Sequence, residues 1–440
     1  MKNSSILYQM SLRSFTPEGT IKGAEKMLPH IASLGFDIVY LCPIFKADDD
    51  TDPIFWSPNH KRSQLTLPTN PYRMSDYYAI DEEYGTDEDL RSFVKTAHEL
   101  GLKVLLDLVY FHCGPKAVFI EEHPDYVVLD EEGKVTCGRW NFPQLNYESA
   151  GLREYLHSNM EYYIKEFDVD GYRCDVAEYV PLDFWAEGRR RILAIKPDAI
   201  LINEGDGVAY NEEVFDSYYN FKLGHNLRKA LRGEITAADL VAAASAHRSQ
   251  MPPQSIPLNF LDNHDTVKDI LRRFDRIENI IGHDRMEAAM VLLYTHEGIP
   301  FIYNGNEICD NRKHTLYANR FNEPELRINW SNALTPVAER RMRIMRELAV
   351  LHKNNPILVN GGMEWLTVGD SENVLAFVRT YEDKKILVII NISGKTLETN
   401  VDFKIGENAK TLMQKDLVIT SSEEKTHFAV CPGGYVVIEQ

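Results

Sequence analysis

From Ile6 to His352 short aliphatic runs alternate with longer amphipathic segments. Ile6–Met10, Ile38–Cys42, Val104–Tyr110, Val169–Cys174, Ala199–Asn203, Ile256–Leu261 and Ile299–Tyr303 predict strands. Between them Ala24–Ser33, Asp87–Leu100, Ala150–Phe167, Asp183–Ile195, Arg285–His296 and Ala338–His352 carry apolar residues at helical spacing and predict helices. Such βα alternation implies a parallel sheet covered by helices, either closed into a barrel or open and doubly wound. After Asn355 the pattern changes to short alternating strands with Gly and Asn between them, at Val374–Arg379, Ile386–Ile390, Val401–Phe403, Lys425–Val430 and Tyr435–Ile438. This predicts a separate antiparallel domain, and with no Ser/Gly-rich linker before it the two units should pack directly together.

Two connections, Pro43 to Tyr84 and Phe111 to Glu148, far exceed the about 2–6 residues that a βα loop needs. Each follows a predicted strand at its C-terminal end, the face on which barrel active sites are assembled. The aromatic stretches Phe55-Trp56-Ser57-Pro58 and Arg139-Trp140-Asn141-Phe142-Pro143 serve either as the loops' own small cores or as surfaces for stacking on sugars. A length of 440 residues suits a large barrel with one smaller domain. The net charge of −18 excludes nucleic acid and anionic membranes as partners and favours a neutral substrate. No apolar run is long enough to span a bilayer, and the N-terminus lacks the apolar core of a signal peptide, so the expected location is cytoplasmic. Six scattered cysteines without a CxxC pair indicate neither a disulfide framework nor a zinc site.

Four segments put ionisable residues where a barrel strand should stop: Asp107-Leu-Val-Tyr-Phe-His112, Gly171-Tyr-Arg173-Cys-Asp175, Ile202-Asn-Glu204 and Leu261-Asp-Asn263-His264-Asp265. One Asp at a strand end is commonly a helix N-cap. Several acids with an Arg and two His residues mean more, because a barrel brings all its strand ends to one rim. Cleaving a glycosidic bond takes a pair of carboxyls, one protonated as general acid and one ionised as nucleophile or base. Arg173 and Asp175 share a strand face, so the guanidinium is expected to keep Asp175 ionised. Glu204 follows the apolar run Ala199-Ile-Leu-Ile202, which should raise its pKa toward that of an acid catalyst. His112 and His264 are placed to hydrogen-bond sugar hydroxyls.

In this order the segments resemble the signature motifs of the α-amylase family of glycoside hydrolases. Asp107–His112 resembles Asp-x-Val-x-Asn-His with one departure, Gly171–Asp175 resembles Gly-x-Arg-x-Asp, and Phe260-Leu-Asp-Asn-His-Asp265 is similar to the fourth motif. Tyr77-Tyr-Ala-Ile-Asp81, Gln144-Leu-Asn146, Gly298-Ile-Pro-Phe-Ile-Tyr303 and Arg327-Ile-Asn-Trp330 add to the likeness. The resemblance implies an α/β fold, a (β/α)8 TIM barrel over residues 1–110 and 149–354. It also implies a small domain B inserted after strand 3 at 111–148 and a C-terminal β-sandwich at 355–440. It implies roles too: Asp175 as nucleophile, Glu204 as acid then base, Asp265 as transition-state stabiliser, Arg173 as the residue orienting the nucleophile, His112 and His264 as hydroxyl ligands, and Tyr72 as the aromatic stacking on the sugar. The implied activity is retaining hydrolysis of α-1,4 bonds in starch- or glycogen-derived maltooligosaccharides. Alternatives on the same triad are a transglycosylase, an isomerase or an exo-α-glucosidase. A silent barrel subunit would have lost triad residues, and a nucleotide-binding fold would need a Gly-rich loop that Met10-Ser-Leu-Arg-Ser-Phe15 does not supply.

Departures from the motifs add expectations. Phe111 and Tyr179 stand where calcium-dependent relatives carry an Asn and a His ligand, so no cofactor or metal is expected at that place. Asp48-Asp49-Asp50 reads as a solvated loop. Gly205-Asp206-Gly207 lacks the bulky residue usual after the glutamate, which suggests open subsites beyond the bond. Arg73 replaces an Asp with which exo-acting relatives grip a chain end, which leans toward cleavage within the chain.

Overall fold

The computed structural model describes residues 1–267, 275–370, 372–421 and 426–440. Eight parallel strands form the barrel: β1 Leu7–Met10, β2 Ile38–Leu41, β3 Lys103–Leu108, β4 Gly171–Cys174, β5 Ile200–Asn203, β6 Ser217–Tyr219, β7 Ile256–Asn259 and β8 Ile299–Tyr303. Each pairs with its neighbours in chain order, and β8 pairs back on β1 to close the ring. Seven of these are the predicted strands, with ends differing by at most two residues. The eighth, β6, has three residues and no aliphatic run, so its sequence carries no strand signal.

The two-residue period of the strands sorts their side chains. Leu7, Ile38, Tyr40, Leu105, Ile200, Ile202, Tyr219, Leu258, Ile299 and Phe301 form an inner cluster. The alternate residues, such as Tyr8, Val39, Val104 and Leu106, pack outward under the helices. Continuing that period past the last inward aliphatic places Asp107 and Glu204 above the barrel interior, two residues after Leu105 and Ile202.

Helix Asp87–Glu99 starts at a capping box formed by Thr86 and Asp89, and helix Ala150–Phe167 is capped by Ser149. The predicted helix Ala24–Ser33 is two pieces, Ile21–Glu25 and Leu28–Ser33, because Pro29 lacks an N–H and starts a helix rather than continuing one. Phe221–Leu231 and Ala237–Arg248 are helices absent from the sequence reading.

The first long connection contains an antiparallel pair, Phe45–Ala47 with Met74–Ile80. The second, after β3, is mostly irregular, tied by bridges between His112 and Gln144 and between Val127 and Leu145. After the barrel come β9 Gly362–Trp365, β10 Val374–Tyr381, β11 Lys384–Asn391, β12 Leu397–Val401, β13 Lys410–Ser421 and β14 Thr426–Glu439, in one antiparallel sheet. Leu375 and Phe377 of β10 join the large core shared with the barrel helices, whereas Val374 and Ala376 face the sheet's own core. The predicted strands Lys425–Val430 and Tyr435–Ile438 are one strand, β14, running through Cys431-Pro432-Gly433-Gly434; Lys425 lies outside the described residues. At Gly433 φ is +65° and a Cβ would meet the Asp284 carbonyl carbon at 2.6 Å, so only glycine fits there. Among the described residues no helix is long and apolar enough to cross a membrane.

Candidate active site

At the C-terminal ends of the strands, Asp107 of β3 lies in register with Arg173 of β4, and Arg173 with Ile202 of β5. The Arg173 guanidinium is fully buried and faces three carboxyls. Its Nη1 donates to Asp107 Oδ1 at 2.6 Å and to Asp175 Oδ1 at 2.8 Å. Its Nη2 lies 2.5 Å from Glu204 Oε1, a charge contact outside hydrogen-bond angles. Asp107 also accepts from the Tyr40 hydroxyl at 2.5 Å and the Tyr72 hydroxyl at 2.9 Å, so it is buried structure around the arginine.

One guanidinium among three buried carboxyls cannot hold them all in their ordinary range. Burial pushes Asp175 well up; Arg173 opposes the rise, and Glu204 and Asp107 add to it. Burial also raises Glu204, again against Arg173 and with help from Asp265. The rise at Glu204 agrees with the sequence argument. The rise at Asp175 corrects it: a single salt bridge does not offset desolvation plus two neighbouring acids. The three carboxyls therefore titrate as a set that shares protons.

Glu204 is further aimed by the Val176 N–H, which donates to its Oε2 at 2.9 Å. Val176 has φ +37° and ψ +46°, a left-handed conformation that is costly for a β-branched residue. This strained turn directly after Asp175 connects the two carboxyls, and no sequence signal marks it.

His112 Nε2 donates to the Tyr72 carbonyl at 2.7 Å, and burial lowers its pKa to about 4, so the ring is neutral with Nδ1 as acceptor. The Tyr72 and His264 rings stack with centroids 5.1 Å apart and planes 6° from parallel. Gln9 Nε2 donates to His264 Nδ1 at 2.8 Å, leaving Nε2 as the protonated nitrogen, 3.5 Å from Asp265 Oδ2. Asp265 sits on a turn held by Asn263, whose side chain accepts from the N–H groups of Asp265 and Thr266.

These residues line a cavity of about 300 Å³ that brings together Tyr72, His112, Asp175, Glu204, His264 and Asp265. All the expected site residues are therefore at one place, with Arg173 directly beneath. Trp140, Phe142, Asn70, Leu316 and Tyr317 also line the wall. The loops' aromatics divide between the two readings: Trp140 faces the cavity, while Trp56 stacks on His60 at 4.2 Å and His60 on Tyr317 at 4.6 Å, tying the first loop to the segment after β8. Sequence reasoning misses Asn70, Leu316 and Tyr317, since their loops' paths depend on contacts such as Ser57 to Tyr317.

Departures from the sequence expectations have structural explanations. Arg73 is absent from the cavity wall; it is buried and donates to the carbonyls of Phe55, Asp48, Asp50 and Pro68, fastening the first loop. Asp48 is buried rather than solvated, accepting from the N–H groups of Asp50 and Lys116 and so joining the two long loops. Gly205 and Gly207 lie against the exposed Glu178 side chain, which a Cβ at Gly205 would strike, and the stretch itself is half-buried, with Val208 exposed beside it. Phe111 and Tyr179 pack with ring centroids 5.1 Å apart, and the Arg139 guanidinium lies 4.4 Å over the Tyr179 ring. The one cluster of potential metal ligands among the described residues, Glu278, His283 and Cys309, already contains the Arg341 guanidinium, 2.7 Å from Glu278.

The sequence matches the family model described as alpha amylase, catalytic domain, over residues 3–134 and 135–336. The chain belongs to the α-amylase family. It is 28% identical over 432 residues to a maltogenic alpha-amylase from Bacillus acidopullulyticus, covering 91% of this chain and 67% of that protein. It is also 28% identical over 410 residues to a cyclomaltodextrinase from Geobacillus thermopakistaniensis, covering 86% of this chain and 63% of that one. This α-amylase-family chain thus spans about two thirds of the length of these relatives. The crystal structure of a noncanonic maltogenic alpha-amylase from Thermotoga neapolitana superposes with a TM-score of 0.84 at 25% identity, covering 100% of this chain and 99% of that one.

Proposed function

We propose that the protein is a retaining glycoside hydrolase that cleaves α-1,4-glucosidic bonds in maltooligosaccharides. The observation that carries this reading is the pair Asp175 and Glu204, just past the ends of adjacent strands and against one guanidinium at 2.8 and 2.5 Å. Two carboxyls held by neighbouring nitrogens of one fork suit the about 5–5.5 Å separation of retaining enzymes better than the wider gap that admits a water in inverting ones. Relatives named maltogenic alpha-amylase and cyclomaltodextrinase support a maltodextrin substrate.

In this reading the Asp175 carboxylate attacks the anomeric carbon while the bond to the leaving oxygen breaks and that oxygen takes the Glu204 proton. Water then attacks the same carbon, gives its proton to Glu204 and releases Asp175, so two inversions return the α-anomer. Asp265 stabilises the positive charge that develops on the sugar, while Tyr72, His112 and His264 hold its face and hydroxyls. The chemistry requires a proton on Glu204, and burial, which raises its pKa, favours one there. Incubation with maltoheptaose followed by proton NMR should give short α-anomeric products. β-Anomers would overturn the mechanism, and chains longer than the substrate would make the protein a transferase.

We also infer that no calcium ion serves at the family's usual place: two aromatic rings and a guanidinium offer no cage of oxygens and already supply a cation. Chelator treatment is expected to leave Tm unchanged, and a fall of several degrees would overturn the inference. Six free cysteines, four of them buried, suit a reducing compartment and support a cytoplasmic location. The charge of −18 argues against nucleic acid and membranes as partners.

A further inference from the structure

A second cavity, of about 390 Å³, shares no wall residue with the first. It lies between β6, helix Ala237–Arg248, the turn before β8 and β9, where the barrel meets the C-terminal sheet. Tyr218 is fully buried on its wall, and its hydroxyl has no hydrogen-bond partner among the described residues. A buried hydroxyl left unmet is penalised, so a polar group beside a cavity in this state points to a ligand. The Tyr218 ring stands edge-on to His247 at 5.9 Å. Arg248 donates to Glu297 Oε1 from Nε at 3.1 Å and from Nη2 at 2.7 Å, which cancels both charges. His296 donates from Nδ1 to the Glu297 carbonyl at 2.8 Å, leaving Nε2 as an acceptor, and burial keeps its ring neutral. Trp365 is half-buried, held edge-on by Phe377 at 5.3 Å and beside His296 at 5.7 Å.

This lining combines an aromatic surface with closely spaced donors and acceptors and a balanced pair of charges. Without a surplus cation it does not suit a phosphate or carboxylate, whereas a neutral ring carrying hydroxyls meets each element. We propose that this cavity is a second binding site for a neutral sugar, an α-glucan unit, separate from the barrel rim. The choice of an α-glucan over other neutral sugars rests on the function proposed above.

The chain has five tryptophans, Trp56, Trp140, Trp185, Trp330 and Trp365, and their nitrogen-15 indole signals separate the two sites. Maltotriose is titrated into the Glu204→Gln protein, which binds without turnover, and Trp365→Phe and Trp140→Phe assign the reporters. Both the Trp140 and the Trp365 signals are expected to move, along distinct saturation curves. Ser245→Tyr, at an exposed position on the cavity wall, should weaken the Trp365 curve about tenfold or more by filling the space and leave the Trp140 curve unchanged. Movement of Trp140 alone overturns the second site and leaves the proposed function standing. Movement of neither overturns both, and a Trp365 curve indifferent to Ser245→Tyr overturns the cavity as its location.

Discussion

Glu204→Gln is expected to lower kcat/KM on maltooligosaccharides by roughly 10²–10⁴-fold, and Asp175→Asn by at least as much. An amide in place of the Glu204 carboxyl would still accept from the Val176 N–H but carries no proton to give to the leaving oxygen, and an amide in place of the Asp175 carboxylate is no nucleophile. Both side chains are buried acids whose ionisation the fold opposes, so neutral replacements should leave Tm unchanged or higher. Initial rates with a short maltooligosaccharide, beside thermal melts, check the two halves together. Near-parent activity in either variant removes the mechanism, whereas lost activity with a collapsed melt would reflect the fold alone.

Arg173→Met should destabilise the protein by about 3–5 kcal/mol and abolish activity, because it leaves three buried carboxyls with no cation. The effect has a sign in pH. Asp107, Asp175 and Glu204 are already raised by burial, and losing the guanidinium raises them further. A group whose folded pKa lies above its unfolded value contributes stability that is complete below the unfolded value and is lost as pH rises through the folded one. The gap in Tm between variant and parent should therefore widen as pH rises above the ordinary carboxylate range. An unchanging gap would assign Arg173 to packing rather than to charge.

The parts of the molecule governed by a short period were legible in the sequence. Alternation along β3 and β5 carries Leu105 to Asp107 and Ile202 to Glu204, so strand-end acids could be assigned to one rim without any knowledge of the loops. Legibility failed where position is set by distant partners. β6 shows three residues of polar and aromatic character, and only pairing on both sides makes it a strand. The orientation of Arg73 follows from four carbonyls on a folded loop, none of which has a side-chain signature. Asp48 reads as one of three surface acids until Lys116 of the other loop supplies its N–H. The Asp175 error was of another kind: a pairwise argument omitted burial and, after it, the two further acids that the barrel's closure brings to the same arginine.

Tyr72 shows what such crowding achieves. Its hydroxyl is held by Asp107, its carbonyl by His112, its N–H by Asn70 at 3.1 Å, and its ring lies parallel to His264. The rotamer freedom that a stacking aromatic usually surrenders when a ligand arrives, about 0.5–1.5 kcal/mol per side chain, has here been given up during folding. Affinity for a sugar at this position should thus have little entropic penalty from the protein. Asn70→Ala, which frees the Tyr72 N–H and also removes a side chain from the cavity wall, should weaken sugar binding.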